Sequence, residues 1–305
     1  MFAASYQDLD SLHRRLGEIR ESGDWDAAPK GEAFVRTFGA RLKHKSDRGF
    51  NDYGFNSTQR SGAVQIGYNR TVENASDGTL RLGLAGTLHS MTFTPQAVDG
   101  ESRGTFNAKT LAGLVTWQSQ AGWYVDGVVS GGVFDGRVET DARAPMPIKG
   151  ASFAASLEAG YPVSLGTRNV VLEPQVQIMY QHLAFERGTD SDAIDLNLGN
   201  LNQGVARVGA RLTRAFVSEG GTSVTPYIKA NLLQGIGGGD AIQLGGAAFS
   251  TSKFGRAVQI GGGITGKPTP RLSLYSELAW QHEIGNGGGA RGWTANLGLR
   301  YAFGG

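Results

Sequence analysis

The chain has no cysteine, no long apolar run and no excess of charge of either sign. Without cysteine, a disulfide scaffold, a thiolate metal site and a thiol nucleophile are excluded. The 29 basic and 27 acidic residues leave a formal charge of +2. This argues against nucleic acid as the main partner, because a surface that tracks phosphates normally carries a clear basic excess. No stretch approaches the ~18 consecutive apolar residues of a transmembrane helix.

Glycine is abundant instead, with 47 residues out of 305. That is about 15%, roughly twice the usual share. Aromatic residues make up 9% of the chain and β-branched residues are frequent, which excludes intrinsic disorder. These features leave a strand-rich protein, either a soluble β protein or an outer-membrane barrel.

The first thirty residues differ from the rest and predict one helix, over about residues 5–22. Leu9, Leu12, Leu16 and Ile19 recur at helical spacing. The polar residues around this thin stripe include Asp8, Asp10, His13, Arg14, Arg15, Glu18 and Arg20. A helix packed in an ordinary core shows a broader apolar face, so this one is suited to polar walls.

From Gly31 onward the pattern alternates with a period of two, which predicts strands. The twelve predicted strands are Ala33–Leu42, Gly62–Val72, Leu80–Met91, Thr105–Trp117, Trp123–Phe134, Ala151–Val163, Val170–His182, Val205–Arg214, Ser223–Leu233, Ala257–Gly266, Leu272–His282 and Trp293–Phe303. Most reach the ~9–11 residues that cross a bilayer at a tilt. The first is the weakest, because Arg36 shares its parity with Phe34 and Phe38.

The connections between these strands alternate between short turns and long polar links. This sorting is typical of an outer-membrane barrel rather than a soluble sandwich. Aromatic residues cluster near the strand ends, as in an interfacial girdle. One parity of the strands is polar and predicts a wet lumen; its members include Asp126, Glu158, Glu173, Gln177, Arg207, Arg211, Lys229 and Glu277. We therefore predict an all-β fold, a 12-stranded antiparallel transmembrane β-barrel.

The predicted strand number fixes the width of the lumen. Eight strands fill their own interior and sixteen leave a wide channel, so twelve leave room for about one helix, ~10–12 Å across. The N-terminal helix would span ~27 Å, close to the ~30 Å of the hydrocarbon layer. We expect it to plug the lumen, with residues 1–30 as a linker segment and residues 31–303 as the barrel.

Several segments, in this order, resemble the translocator domains of classical type V autotransporters of Gram-negative bacteria. They are LHRRLGEIRE before the first strand, GWYVDG, SLEAGYPV, VLEPQVQ, VTPYIKAN and the terminal LGLRYAF. The resemblance covers about residues 10–303. It implies an outer-membrane barrel with a pore helix that takes part in exporting an upstream passenger domain.

The resemblance also implies partners. The barrel-assembly machinery reads a C-terminal strand that ends in an aromatic residue, here the strand with Tyr301 and Phe303. The chain departs from the family pattern in that Gly304 and Gly305 follow Phe303. Periplasmic chaperones, outer-membrane lipid and lipopolysaccharide are the other expected partners of a monomer, and nucleic acid is not one. A signal peptide and the passenger are expected upstream of Met1.

Some family members cleave themselves inside the lumen by cyclisation of an asparagine. By resemblance, Asp126 matches the catalytic aspartate, Glu158 a supporting glutamate, and Gln177 a position held by glutamate in cleaving members. The junction here is Asp10-Ser11, and a carboxylate is a poorer nucleophile than an amide. Self-cleavage is therefore disfavoured, and Asp126 and Glu158 are expected to pair with Arg14, Arg15 or Arg20 of the helix.

Two other functions stay open. One is a monomeric outer-membrane diffusion channel, in which the helix is an incidental plug. The other is an outer-membrane hydrolase with a surface-loop site, since His89, His182 and His282 fall near the long-loop ends of predicted strands. No serine or acid partner stands at a fixed spacing from them, so an enzyme is not expected. No metal or other cofactor is expected either, because the chain has no cysteine for a thiolate metal site and its glycine runs lack a phosphate-loop lysine.

Overall fold

The computed structural model describes most of the chain. The described residues are 2–21, 31–47, 56–75, 77–96, 102–140, 143–166, 169–189, 195–219, 221–244, 247–251, 253–285 and 288–303. Met1, Gly304 and Gly305 therefore lie outside them.

One helix, α1 (Phe2–Glu21), precedes twelve long strands in the part of the chain that is described. The strands are β1 (Gly31–Lys45), β2 (Ser57–Ala75), β3 (Gly78–Pro95), β4 (Arg103–Ser119), β5 (Tyr124–Thr140), β6 (Arg143–Gly160), β7 (Val170–Phe185), β8 (Asn200–Arg214), β9 (Ser223–Ile236), β10 (Arg256–Lys267), β11 (Leu272–Ile284) and β12 (Gly289–Phe303). The helix begins three residues earlier than the predicted start at Ser5.

Each long strand pairs antiparallel with its neighbours in the chain, and the ring closes between the first and last strands. β1 and β12 pair from Gly31↔Phe303 to Lys45↔Gly289. The predicted fold class, an antiparallel barrel of twelve strands, is confirmed. A closed ring leaves no sheet edge, which is the condition for crossing a bilayer with strands.

Side chains alternate between the two faces of the wall. On β9, Val224, Ile228 and Leu232 are exposed, whereas Thr225, Lys229 and Asn231 are buried. The exposed face is apolar on strand after strand, and the buried face carries charges. This distribution of apolar and polar side chains is the inverse of that in a soluble protein, as expected when lipid surrounds the wall.

The strand predicted as weakest, around Ala33–Leu42, is a regular wall strand. Phe34, Arg36 and Phe38 all point inward and are buried. The Arg36 guanidinium lies 4.7 Å from the centre of the Phe34 ring and 5.0 Å from that of Tyr275. The mixed parity therefore reflects cation–π packing inside the lumen rather than a broken pattern.

Inward glycines receive aromatic rings from adjacent strands. A Cβ atom at Gly67 would lie 2.1 Å from the Phe34 ring, and one at Gly298 would lie 2.0 Å from the Tyr275 hydroxyl. Glycine at these places removes the side chain that would block a luminal ring. Part of the glycine excess is thus explained by close packing inside the barrel.

The strands run farther than predicted at the long-loop end. β2 begins at Ser57 rather than Gly62, and β3 ends at Pro95 rather than Met91. The link over residues 234–255, predicted as loop, contains a hairpin of Ala241–Leu244 and Ala247–Ser250. Backbone pairing continues at this end, where the alternation of apolar side chains fades.

Candidate functional site: the luminal helix and its wall

Helix α1 lies inside the barrel, and its apolar stripe is buried there. Leu9 and Leu12 are 0% and 1% exposed and belong to a cluster that includes Phe34, Val128 and Met179 of the wall. Phe2, at the other end, packs with residues near the long-loop ends of the strands, such as Phe106 and Phe185. The helix therefore runs from the long-loop end towards the short-turn end, where β1 begins at Gly31.

Asp10, in the middle of the helix, is held by two arginines. Its Oδ1 accepts a hydrogen bond of 2.8 Å from Arg207 of β8, and its Oδ2 pairs with Arg14 one turn further along the helix. Arg14 also reaches Glu277 of β11 at 2.8 Å, and Lys229 of β9 lies 2.8 Å from the same carboxylate. All five side chains are largely buried, so each charge is compensated where water is scarce.

Arg207 connects this group to a second one on the neighbouring strands β5 to β7. Its guanidinium pairs with Glu158 of β6 as well as with Asp10. The Tyr124 hydroxyl lies 2.8 Å from Glu158 and 2.9 Å from Glu173, within hydrogen-bonding distance of both carboxylates. Arg207 is thus the link between the helix and the acidic wall of β6.

His13 makes a separate contact with the wall. Its Nε2 lies 2.9 Å from the Ser156 hydroxyl, and its Nδ1 lies 2.7 Å from Asp126 Oδ2. Thr116 donates to Asp126 Oδ1 at 2.5 Å. Gln177 donates to Ser156 Oγ at 2.9 Å.

For Arg14, these contacts correct the expected pairing with Asp126 or Glu158, whereas the expected pairing with Arg15 or Arg20 stays a prediction. Asp126 contacts His13, and Glu158 contacts Arg207 of the wall, whereas Arg14 pairs with Glu277. The parity of a strand fixes which face a carboxylate occupies, but not which side of the helix meets it. The side chains of Arg15, Glu18 and Arg20 lie outside the described residues.

Ser11, the other half of the predicted junction, is fixed on two sides. Its hydroxyl donates to Gln65 Oε1 at 3.3 Å and accepts from Asn296 Nδ2 at 3.3 Å. Arg36 donates to the Ser11 carbonyl oxygen. The junction is therefore a helical, buried peptide tied to three wall strands.

Other contacts near the helix involve residues that the sequence did not single out for docking. Asp8 accepts from His89 Nδ1 at 3.2 Å, so His89 faces the lumen rather than forming a rim site. Ser61 donates to Gln7 at 2.9 Å. Within the wall itself, Arg211, predicted as luminal, stacks over Tyr227 at 3.7 Å from the ring centre. The sequence showed Asp8 only as one of the polar residues around the leucine stripe of the helix.

The other two predicted rim histidines contact asparagine, tryptophan and glutamate side chains. His182 Nδ1 contacts Asn202 Oδ1 at 2.8 Å, and the His282 ring stacks on Trp280. No group of three or more histidine, aspartate or glutamate side chains that could hold a metal ion occurs in the described ranges. None of the described helices is long and apolar enough to cross a membrane.

The terminal strand exposes its aromatic residues to the outside of the barrel. Tyr301 and Phe303 are 44% and 39% exposed, and Phe303 stacks on Tyr68 of β2 across the barrel closure. Inside the same closure, Arg300 donates to Glu32 of β1 at 2.6 Å. The seam is therefore held by rings outside and by an ion pair inside.

Comparison with known proteins agrees with this geometry. The family described as "Autotransporter beta-domain" matches residues 33–279. The pertactin autotransporter of Bordetella bronchiseptica is 24% identical over 305 residues, covering 98% of this chain and 31% of that protein.

Solved barrels have the same fold. The transport unit of AIDA-I from Escherichia coli superposes with a TM-score of 0.72 at 20% identity, covering 89% of this chain and 90% of that one. The β domain of the Bordetella autotransporter BrkA gives 0.67 at 22% identity, covering 90% of this chain and 100% of that one. The chain spans about a third of the length of the curated pertactin relatives that it matches.

Proposed function

The chain belongs to the autotransporter β-domain family and is an outer-membrane barrel; from this premise we propose that it exports an upstream passenger domain to the cell surface. Residues 31–303 act as the membrane anchor and conduit. Residues 1–30 form the segment that joins the passenger to the barrel. This role makes the chain a transport and anchoring module rather than a member of an enzyme family.

The direction of helix α1 carries the proposal. Phe2 packs at the long-loop end and β1 starts at the short-turn end. Long loops face the cell exterior in outer-membrane barrels. A segment that precedes Phe2 therefore leaves the lumen on the outside, which is where a passenger must be.

The pairings inside the lumen favour a plug over an open diffusion channel. Asp10 and Arg14 of the helix are joined to Arg207 and Glu277 of the wall. These wall contacts of the helix would be lost if it left the lumen, and removing one partner of a buried pair costs about 3–5 kcal/mol, which favours the docked helix. A barrel built for free diffusion does not need such contacts.

We also propose that the helix stays uncut at Asp10-Ser11. Both Asp10 oxygens are engaged by arginines, which favours the ionised carboxylate, a poor nucleophile towards its own peptide carbonyl. Intact-mass measurement of a chain with twenty added upstream residues should give one uncut species after folding. A product that begins at Ser11 would contradict this.

For partners, we propose the passenger itself, the barrel-assembly machinery, periplasmic chaperones, and outer-membrane lipid and lipopolysaccharide. The lipid-facing rings of Tyr301 and Phe303 offer the aromatic pattern that an assembly factor can read. The barrel needs no second copy to close its sheet, so we propose a monomer.

The test is surface display. An epitope-tagged domain fused upstream of Phe2, behind a signal peptide, is produced in a Gram-negative host, and intact cells are treated with protease. We expect the tag to be removed. A matched tag inserted in the short turn at Glu219 should stay protected. Protection of the upstream tag in cells whose barrel is folded would overturn the proposal.

A further inference from the structure

Three side chains from three elements form a continuous polar chain beside the helix. Ser156 Oγ of β6 lies 2.9 Å from His13 Nε2, and His13 Nδ1 lies 2.7 Å from Asp126 Oδ2 of β5. Their exposed fractions are 7%, 3% and 0%. A hydroxyl, an imidazole and a carboxylate in this order form the nucleophile, base and orienting acid of serine hydrolases, which are recognised by geometry and not by sequence order.

The hydrogen bonds around the three groups define where the protons lie. Gln177 Nε2 donates to Ser156 Oγ, so the serine hydroxyl is free to donate its own proton to His13 Nε2. The Asp126 carboxylate lies 2.7 Å from Nδ1, a position that favours the tautomer with its hydrogen on that nitrogen. In that tautomer Nε2 accepts from the serine, as the imidazole of a serine hydrolase does.

The contact between His13 and Asp126 is short but is not aligned as a hydrogen bond. Catalytic contacts are commonly misaligned before a substrate binds and tighten in the complex. Thr116 holds the other oxygen of Asp126 from the adjacent strand β4. The carboxylate is therefore held from β4 through one oxygen and faces the imidazole with the other.

Two donors lie on the neighbouring strands β7 and β8. Gln177 already reaches Ser156, and Arg207 is its direct cross-strand neighbour. Among the described residues, Arg207 Nε is buried without a hydrogen-bond partner. Fixed donors in a site with little water are the usual means of stabilising an oxyanion.

We propose that Ser156 is a nucleophile that accepts an acyl group from a small carboxylic ester entering the lumen beside the helix. Ser156 Oγ forms a bond to the ester carbon while its proton moves to His13 Nε2. The ester C–O bond then breaks, and His13 returns the proton to the departing alcohol. Water hydrolyses the acyl-serine by the same two proton transfers in reverse order.

This site differs from the Asp10-Ser11 junction in nucleophile and in bond broken, and it does not rest on the export function. Asp126 acts here as a positioning residue, through His13. Ser130, which faces the lumen from the same strand as Asp126, offers a matched serine for comparison.

The test uses a small fluorophosphonate on the folded full chain in detergent. Ser156 Oγ displaces fluoride from phosphorus, and the added mass is located by peptide mapping. We expect one label per chain, at Ser156, in the parent and in Ser130→Ala, with none in Ser156→Ala. In Asp126→Asn the maximal labelling rate should fall at least ~100-fold while the half-saturating probe concentration is unchanged.

Folding of each variant is checked by its heat-dependent shift in gel mobility, and His13→Gln provides a second test of the base if Ser156→Ala does not fold. His13→Gln should lose the label as well. The proposal is overturned if the folded parent is not labelled, if the label lies elsewhere, or if folded Asp126→Asn reacts at the parent rate.

Discussion

The guanidinium of Arg14 on the luminal helix lies 2.8 Å from the carboxylate of Glu277 on strand β11. The same carboxylate is 2.8 Å from Lys229 and accepts a hydrogen bond from Tyr227. The wall therefore keeps its own partners when the helix is absent. The charge of Glu277 is therefore compensated both when the lumen is empty and when the helix is docked.

Arg14→Ala should loosen the plug without damaging the barrel. Glu277 keeps Lys229, and Asp10 keeps Arg207, so the loss falls on the helix. We expect more frequent and larger openings in planar bilayers, because a buried ion pair holding the helix is gone. The matched control is Arg137→Ala, whose pair with Glu139 is exposed and should leave conductance unchanged. Equal conductance in Arg14→Ala and the parent would show that this pair does not retain the helix.

Asp10 and Arg207 should be energetically coupled. In urea unfolding, Arg207→Ala is expected to cost less free energy in an Asp10→Ala background than in the parent, because the pair between helix and wall is already lost. The difference should fall between about 0.5 and 3 kcal/mol, the range for residues in direct contact. Additive losses would mean that the contact contributes nothing to stability.

Glu32→Ala should weaken the closure of the barrel. Arg300 of β12 donates to Glu32 across the seam, and Asn69 of β2 donates to its other oxygen at 3.1 Å. Removing a buried carboxylate partner costs about 3–5 kcal/mol. Thermal unfolding in detergent measures this, with Glu219→Ala in an exposed turn as the control, expected within about 0.5 kcal/mol of the parent. A loss no larger than that of the control would count against an internal seam bond.

Gly298→Ala should be destabilising although the change is a single methyl group. The new Cβ would lie 2.0 Å from the Tyr275 hydroxyl and 2.6 Å from the Val35 carbonyl oxygen. Overpacking of this kind costs about 1–3 kcal/mol. Gly113→Ala is the control, because its Cβ would point into open space. The two variants should separate clearly in a urea titration, and coincident midpoints would refute the close packing of Tyr275.

Much of the wall could be predicted from the sequence, since the period of two reports the face of each residue directly. Val224 and Lys229 differ in parity, and one is exposed while the other is buried. The strand ends could not be predicted, because the backbone of residues 57–61 keeps pairing above the lipid without an apolar face. Short strands such as Ala241–Leu244 form in loops for the same reason.

The contacts of the helix were less accessible to sequence reasoning. The thin stripe of Leu9 and Leu12 indicated polar surroundings, and both leucines are buried. The partner of each charge depends on how the helix is rotated in the barrel, which no local pattern encodes. Asp126 was expected beside an arginine, and its contact with the described part of the helix is with His13. For Arg36, the mixed parity with Phe34 and Phe38 was itself the signal of a luminal cation.

The central claim is that helix α1 occupies the lumen in a fixed register, and a cysteine pair measures this directly in a chain that has no cysteine of its own. Asn296 Nδ2 lies 3.3 Å from Ser11 Oγ, whereas the next residue, Leu297, faces outward. In folded protein in the membrane, a short bifunctional thiol reagent should join Ser11→Cys to Asn296→Cys and should not join Ser11→Cys to Leu297→Cys. Equal linking of both pairs, or of neither, would contradict a helix docked inside the barrel.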